Sequence, residues 1–341
     1  MFLQTTTTYE INSNTKMSLP TPPIAILGAG PAGLMLGRLL ELQGIDYIIF
    51  EAEATPFVRG YQGGTLDIHV EDGQRALKAA GLYEEFQKLA RFDATSVIVD
   101  NAGNAIAKHE DEGEGNGRPE IDRKALREML LRSVPKERVR WGSKVKSVEK
   151  NAEGHISIHF ENGDFQSDFK LVVGADGAWS KTRNLVSIWR PLRSSMPLTR
   201  NQVTASKPIY AGMAYLTTEI TSSNPFYQRV ESLAGPGNYM SFGKQRSIVA
   251  QRLGDTSYQL LFGAPLPEYW WAETDLLGDP PALRKWLLEN IYPDWATVNT
   301  DIVRHSDGDF NVWALYGLPK EALSWEHVSG IALVGDAAHL T

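Results

Sequence analysis

The spacing of apolar positions divides the chain into blocks of different period. Ile24 to Leu27 is a short apolar run that reads as a buried strand. Leu34 to Gln43 carries helical spacing and is closed by Gly44 at the position after a helix end. Ile45 to Phe50 is a second apolar strand that ends on Glu51. Strand, helix and strand at this spacing form a βαβ unit, and parallel strands joined by a crossover helix imply an α/β sheet. Asp72 to Ala80 and Tyr83 to Ala90 read as two helices punctuated by Gly81. Thr95 to Asp100 and Ala105 to His109 flank a hairpin turn, and residues 111–119 form a Gly-rich acidic loop. Asp122 stands where it caps a helix running to Ser133, with Leu126, Met129 and Leu130 on one face.

Short strands follow at Val139 to Trp141, Lys144 to Glu149, His155 to Phe160 and Phe165 to Phe169. Asn162-Gly163 predicts a type I′ turn between the last two. Leu171 to Val173 then leads into Gly174-Ala175-Asp176-Gly177. Near Trp189 the composition shifts to aromatics, short strands and Pro/Gly turns, interrupted by one helix at about Pro281 to Asn290. Ile331 to Val334 returns to the pattern of the first strand. The chain therefore reads as a discontinuous nucleotide-binding unit with a strand-rich unit inserted. Residues 1–22, rich in Thr, Asn and Ser, read as a disordered tail.

Composition narrows the function classes. The 341 residues are 42% hydrophobic and 22% charged, as in ordinary globular chains. A net charge of −7 argues against a nucleic-acid partner. With no cysteine, thiolate metal sites and cysteine nucleophiles are excluded. No apolar run approaches the roughly 18 residues of a membrane span. Residues 1–21 lack the basic and apolar regions of a secretory signal, so the expected location is cytoplasmic. Neither a GxSxG elbow nor a P-loop is present. His155 and His159 alternate with Ile156, Ile158 and Phe160, which predicts a solvated strand face and no metal pair. Tyr269-Trp270-Trp271, Trp286 and Trp295 are expected to pack a core or interface before they line a cavity.

Gly28-Ala29-Gly30-Pro31-Ala32-Gly33 joins the first strand to the first helix. In this motif the first glycine permits a tight turn, the second lets backbone approach a pyrophosphate, and the third lets helix and strand pack closely. The helix N-terminus adds N–H groups and partial positive charge. Glu51 lies 18 residues after Gly33, placed to accept hydrogen bonds from ribose hydroxyls. A dinucleotide site follows, without distinguishing FAD from NAD(P).

Other segments carry that distinction. Gly174-Ala175-Asp176-Gly177-Ala178-Trp179-Ser180-Lys181-Thr182-Arg183 and Gly335-Asp336-Ala337-Ala338-His339 resemble signatures of the class A FAD-dependent monooxygenases, the p-hydroxybenzoate hydroxylase-like family. Gly63-Gly64-Thr65-Leu66-Asp67-Ile68-His69 and Ile121-Asp122-Arg123-Lys124-Ala125-Leu126-Arg127 are similar to the tetracycline monooxygenase branch. The resemblance implies a Rossmann-like FAD-binding domain in residues 23–93, 118–188 and 328–341. A strand-rich substrate domain would comprise residues 94–117 and 189–327. Gly28, Gly30, Gly33 and Glu51 would hold the ADP half of FAD, Arg123 and Asp67 would contact the cofactor, Asp176 would serve FAD and the pyridine nucleotide, and Asp336 would accept from the ribityl hydroxyls. Arg59 approximates a family arginine for NADPH, with one extra residue before Asp67. Thr217 and Tyr239 fall where the tetracycline branch places a glutamine and an arginine on its substrate. That departure argues against tetracycline and toward another small aromatic or polyketide-like molecule.

The activity so implied is hydroxylation of that substrate with NADPH (or NADH) and O₂, through a C4a-hydroperoxyflavin. Flavin would perform the chemistry while the protein positions and shields it. The family's next segment, a proline-bearing turn and a Gly-x-Gly-x-Asn helix start, is not in the sequence, which stops at Thr341 and is read as C-terminally truncated. The alternatives are a flavoprotein-like remnant or binding protein without turnover, and a flavin dehydrogenase or oxidase on the same scaffold.

Overall fold

A computed structural model describes residues 21–56, 63–109, 117–188, 207–325 and 327–340. The expected tail up to Pro20, Arg59 and most of the acidic loop lie outside them. The βαβ unit forms as the periodicity predicts. Strand β1 (Ile24–Leu27) and strand β2 (Tyr47–Phe50) are parallel neighbours joined through helix α1 (Pro31–Leu42). Leu171–Gly174 pairs with β1 on its other side, Ile331–Leu333 pairs with Leu171–Gly174, and Val139–Arg140 closes the far edge. The fold is α/β, with a five-stranded parallel sheet whose members come from distant parts of the chain.

Successive strand residues point to opposite faces, and both faces of this sheet are covered. Ile26 and Ile49 pack with Leu34, Leu126 and Met129 beneath α1 and the helix Arg123–Arg132. Leu27, Ile48 and Phe50 pack with Ile156, Ile158 and Phe160 of a three-stranded antiparallel sheet. Each such side chain, fully buried, stabilises the fold by about 1.5–3 kcal/mol. His155 and His159 stay outside, 64% and 38% exposed, as the alternation requires.

The inserted region builds a seven-stranded sheet. Its two outer strands at one edge, Ser96–Asp100 and Ala105–His109, come from the earlier hairpin. Ile209–Ile220, Asn238–Gly243, Arg246–Arg252, Tyr258–Ala264 and Asp307–Gly317 supply the rest. One face carries Leu216, Ile248, Leu260 and Phe262 and is buried under helices. Trp295 belongs to that core, and Trp270 packs on Trp286 at 5.0 Å, in agreement with the packing reading of the tryptophans.

Three local expectations need correction. Helices Tyr227–Ala234 and Thr297–Arg304, which bury Val230 with Ala234 and Ile302 with Val303, join the one expected at about Pro281 to Asn290, which forms as Pro280–Trp286 continued by Leu287–Ile291. Asn162 is not in the positive-φ conformation that a type I′ turn demands; Gly163 alone is, at +91°. Asp122 precedes its helix but does not cap it. Its carboxylate instead accepts from Arg91 at 2.8 Å and from the Gly254 N–H at 2.9 Å, tying the nucleotide unit to the large sheet.

Candidate functional site

The glycine loop has three different kinds of space. Gly28 has φ +110°, and a Cβ there would lie 2.3 Å from the Ala175 carbonyl oxygen. A Cβ on Gly33 would lie 2.1 Å from the Gly28 oxygen. A Cβ on Gly30 meets nothing within 4 Å. The outer glycines are thus consumed by protein packing, while the middle one faces open space at the start of α1. That end of α1 has no side-chain cap and no acidic residue in its first turn. The residues fit a pyrophosphate at this end, where helix N–H groups and the dipole favour an anion.

Two side chains clamp the loop. Glu51 is 5% exposed; its Oε2 accepts the Ala29 N–H at 2.6 Å and its Oε1 the Glu53 N–H at 3.0 Å. A carboxylate has about four acceptor sites, so capacity for ribose hydroxyls remains. Arg127, buried on the helix Arg123–Arg132, donates to the Ala29 carbonyl at 3.2 Å and to Glu53 at 3.0 Å. Burial lowers its pKa, and Glu51 and Glu128 pull it back up. Arg127 was not singled out from sequence as a site residue. Its signal was its position one helical turn after Arg123.

Arg123 begins the same helix. Its backbone N–H donates to the Gly64 carbonyl at 3.1 Å. Its side chain is exposed. Burial lowers the guanidinium pKa, and Asp336 across the cleft raises it. Asp336 itself is exposed and follows Gly335, whose φ is +60° and whose absent Cβ would lie 2.9 Å from Ala32 Cβ of α1. That close approach brings the last motif against the first.

Arg183 joins the last motif to the second. It is 2% exposed and donates to the carbonyls of Ala337, Asp336 and Ala178, each at 2.8 Å. Burial lowers its pKa, opposed by Asp176 and Asp336. Asp176 is spent within its own loop, accepting from the Ser180 hydroxyl at 2.6 Å and the Lys181 N–H at 2.8 Å, while Ser180 Oγ accepts the Arg183 N–H. The structure therefore gives Asp176 the task of organising the loop that holds Arg183. Asp67 lies exposed at the end of a short strand, opposite the buried Glu120.

Across the cleft lies the second face of the large sheet. On it Gln251 Oε1 accepts the Thr65 N–H at 3.1 Å, and a Cβ on Gly64 would lie 2.4 Å from that oxygen and 2.5 Å from Gln259 Oε1. Thr217 is on this face, buried beside Leu261. Tyr239 is not. It projects one residue out of phase into the core, where its hydroxyl donates to Asn299 Oδ1 at 2.7 Å and burial pushes its pKa up to about 12. The expectation that Tyr239 touches substrate is overturned by this alternation; its neighbours Asn238 and Met240 occupy the cleft face. A separate cavity of about 450 Å³, lined by Phe50, Arg140, Phe160 and Phe165, contains none of the candidate residues. No metal-binding cluster occurs among the described residues.

A glycine-loop α/β unit beside a largely antiparallel seven-stranded sheet defines a two-unit fold with a dinucleotide-type loop. Residues 21–224 match the FAD binding domain family, and the chain belongs to that family of FAD-dependent monooxygenases. Monooxygenase asqM of Emericella nidulans is 29% identical, over 93% of this chain and 78% of that protein. The structure of Klebsiella pneumoniae HpxO with FAD and uric acid shares the fold at TM-score 0.68 and 21% identity, covering 93% of this chain and 74% of that one. Tetracycline destructase Tet(51) does so at TM-score 0.60 and 20% identity, covering 94% and 76%. No described helix is long and apolar enough to cross a membrane.

Proposed function

We propose that this chain uses NADPH or NADH and O₂ to insert one oxygen atom into a small aromatic or polyketide-like substrate. The single observation behind this reading is the convergence of Gly30, Glu51, Arg123 and Asp336 on one cleft whose opposite wall is a sheet face. Gly28, Gly30, Gly33 and Glu51 would hold the ADP half of FAD, with Asp336 toward the ribityl chain and Arg123 and Asp67 along the cofactor. Asp176 acts through Arg183. Arg59 is assigned to NADPH. FAD, when bound, supplies a two-electron centre between nicotinamide and oxygen. The balance is substrate-H, O₂, NAD(P)H and H⁺ to substrate-OH, water and NAD(P)⁺. The protein's part is to hold the ring system, present the substrate from the sheet and exclude water from the cleft. The HpxO complex with FAD and uric acid, a planar heteroaromatic, supports a small flat substrate.

Purification tests the proposal. The expected protein is yellow or takes up FAD, and consumes NAD(P)H faster with substrate, with label from ¹⁸O₂ appearing in product. A protein that remains colourless with added FAD overturns it. Acceptor reduction without oxygen insertion assigns a dehydrogenase instead.

A further inference from the structure

We propose that Gln251 is a positioning residue for the cofactor cleft. From the large sheet it holds the peptide group between Gly64 and Thr65, and through that one group it sets both Arg123 and Asp67. The inference rests on the oxygenase reading above and names how the sheet keeps that same site in shape.

Gln251 and Gln259 are cross-strand partners on Arg246–Arg252 and Tyr258–Ala264. Their neighbours Ala250 and Leu260 are buried in the core, so alternation sends both glutamines to the opposite face. There the two amide oxygens converge on Gly64, each within 2.5 Å of where a Cβ would stand. Any side chain at position 64 would push the chain off this seat.

Gln251 Oε1 accepts the Thr65 N–H at 3.1 Å. The carbonyl of the same peptide group, that of Gly64, accepts the Arg123 N–H at 3.1 Å. A peptide group is planar, so its N–H and C=O turn together. A chain of amides thus runs from the sheet to the first residue of the helix Arg123–Arg132, and hydrogen bonds in such a chain polarise one another. That helix has no side-chain cap, and the Gly64 carbonyl takes one of the N–H groups that a helix start leaves over. Thr65 also opens the strand that carries Asp67, and its hydroxyl donates at 3.1 Å to Glu120, the residue opposite Asp67 in the pairing. Losing the Gln251 oxygen frees the peptide to rotate, which shifts the helix start on one side and the strand on the other. Gln259 makes no such bond. Its Oε1 is buried with no donor among the described residues, so its part is to wall the seat.

The test follows amide exchange in the apoprotein and FAD titration by flavin fluorescence. Gln251→Leu removes the acceptor and nearly keeps the volume. Residues 63–67 and 120–125 should both exchange at least about tenfold faster than in wild type, and FAD should bind about tenfold more weakly with an altered visible circular dichroism. Gln251→Glu keeps an acceptor oxygen at the same reach and should recover FAD binding to within about threefold of wild type. Tyr292→Phe removes a buried hydroxyl that donates to the Ser247 and Gly263 carbonyls of the same sheet. It should lower the melting temperature and leave FAD affinity and the exchange of both segments unchanged. Wild-type exchange in Gln251→Leu, faster exchange confined to residues 63–67, no recovery in Gln251→Glu, or equal weakening of FAD by Tyr292→Phe overturns the proposal. Failure of the wild-type chain to take up FAD overturns the oxygenase reading, and the exchange of the two segments still decides the role of Gln251.

Discussion

Gly30 and Gly33 are three residues apart and are glycine for different reasons. Gly30→Ala introduces a methyl where the protein has room, so the apoprotein should melt close to wild type, while FAD binding weakens by about tenfold or more because the methyl intrudes on a phosphate. Gly33→Ala places its methyl against the Gly28 carbonyl and should cost about 2–4 kcal/mol of stability before any cofactor is added. Urea unfolding of the apoproteins and fluorescence titration with FAD separate the two; equal behaviour would remove the argument. Arg183 makes a related point about charge. Arg183→Lys cannot reproduce the fork that reaches Ala337, Asp336 and Ala178, and buried carbonyls lose their donors. A loss of about 2–4 kcal/mol in urea unfolding is expected.

Among the elements, those with strong periodicity were legible. β1, α1 and β2 follow from apolar spacing and one closing glycine, and the three motifs do meet in one cleft. The misread elements share a cause: their information lies in tertiary context. Asp122 has the right side chain at the right place for a cap, yet Arg91 and Gly254 compete for the same oxygens and win. Tyr239 was displaced by one residue, and in a strand one residue changes the face. Gln251 carries no sequence signal because it acts on the Thr65 backbone far away in sequence, whereas Arg127 is signalled only by its place one helical turn after Arg123. The turn Lys244-Gln245 shows the same limit from the other side. Both residues have positive φ, 34° and 63°, in a two-residue hairpin loop, with neither asparagine nor glycine to announce it. Replacing the pair by Asn-Gly should therefore stabilise the protein by about 0.5–1.5 kcal/mol, seen as a higher melting temperature. No gain would mean that tertiary contacts already offset the strain.

For the molecule as a whole, the seam between the two units is polar and buried. Glu120 sits in it, 4% exposed, accepting from Thr65 at 3.1 Å and from Asn238, with Arg91 at 3.5 Å. Burial raises its pKa above the ordinary 4.5, the Asn238 hydrogen bond opposes this, and nearby Asp67 adds to the rise. A folded-state pKa above the unfolded one means that the folded protein holds the proton more tightly. This contribution to stability is present below about pH 4.5 and is lost as pH rises through the folded pKa. The melting temperature of wild type should accordingly fall relative to Glu120→Gln between pH 4.5 and 8, and parallel curves would refute the role. The pairing of Ile331–Leu333 with Leu171–Gly174 bears on a different matter, the order in which the protein is made. A ribosome finishes the entire large sheet before it delivers the strand that leads to Asp336. A nascent chain therefore owns its glycine loop long before it owns Asp336, and on the proposed role of Asp336 cofactor capture would be a late event in biogenesis, after the large sheet has been synthesised.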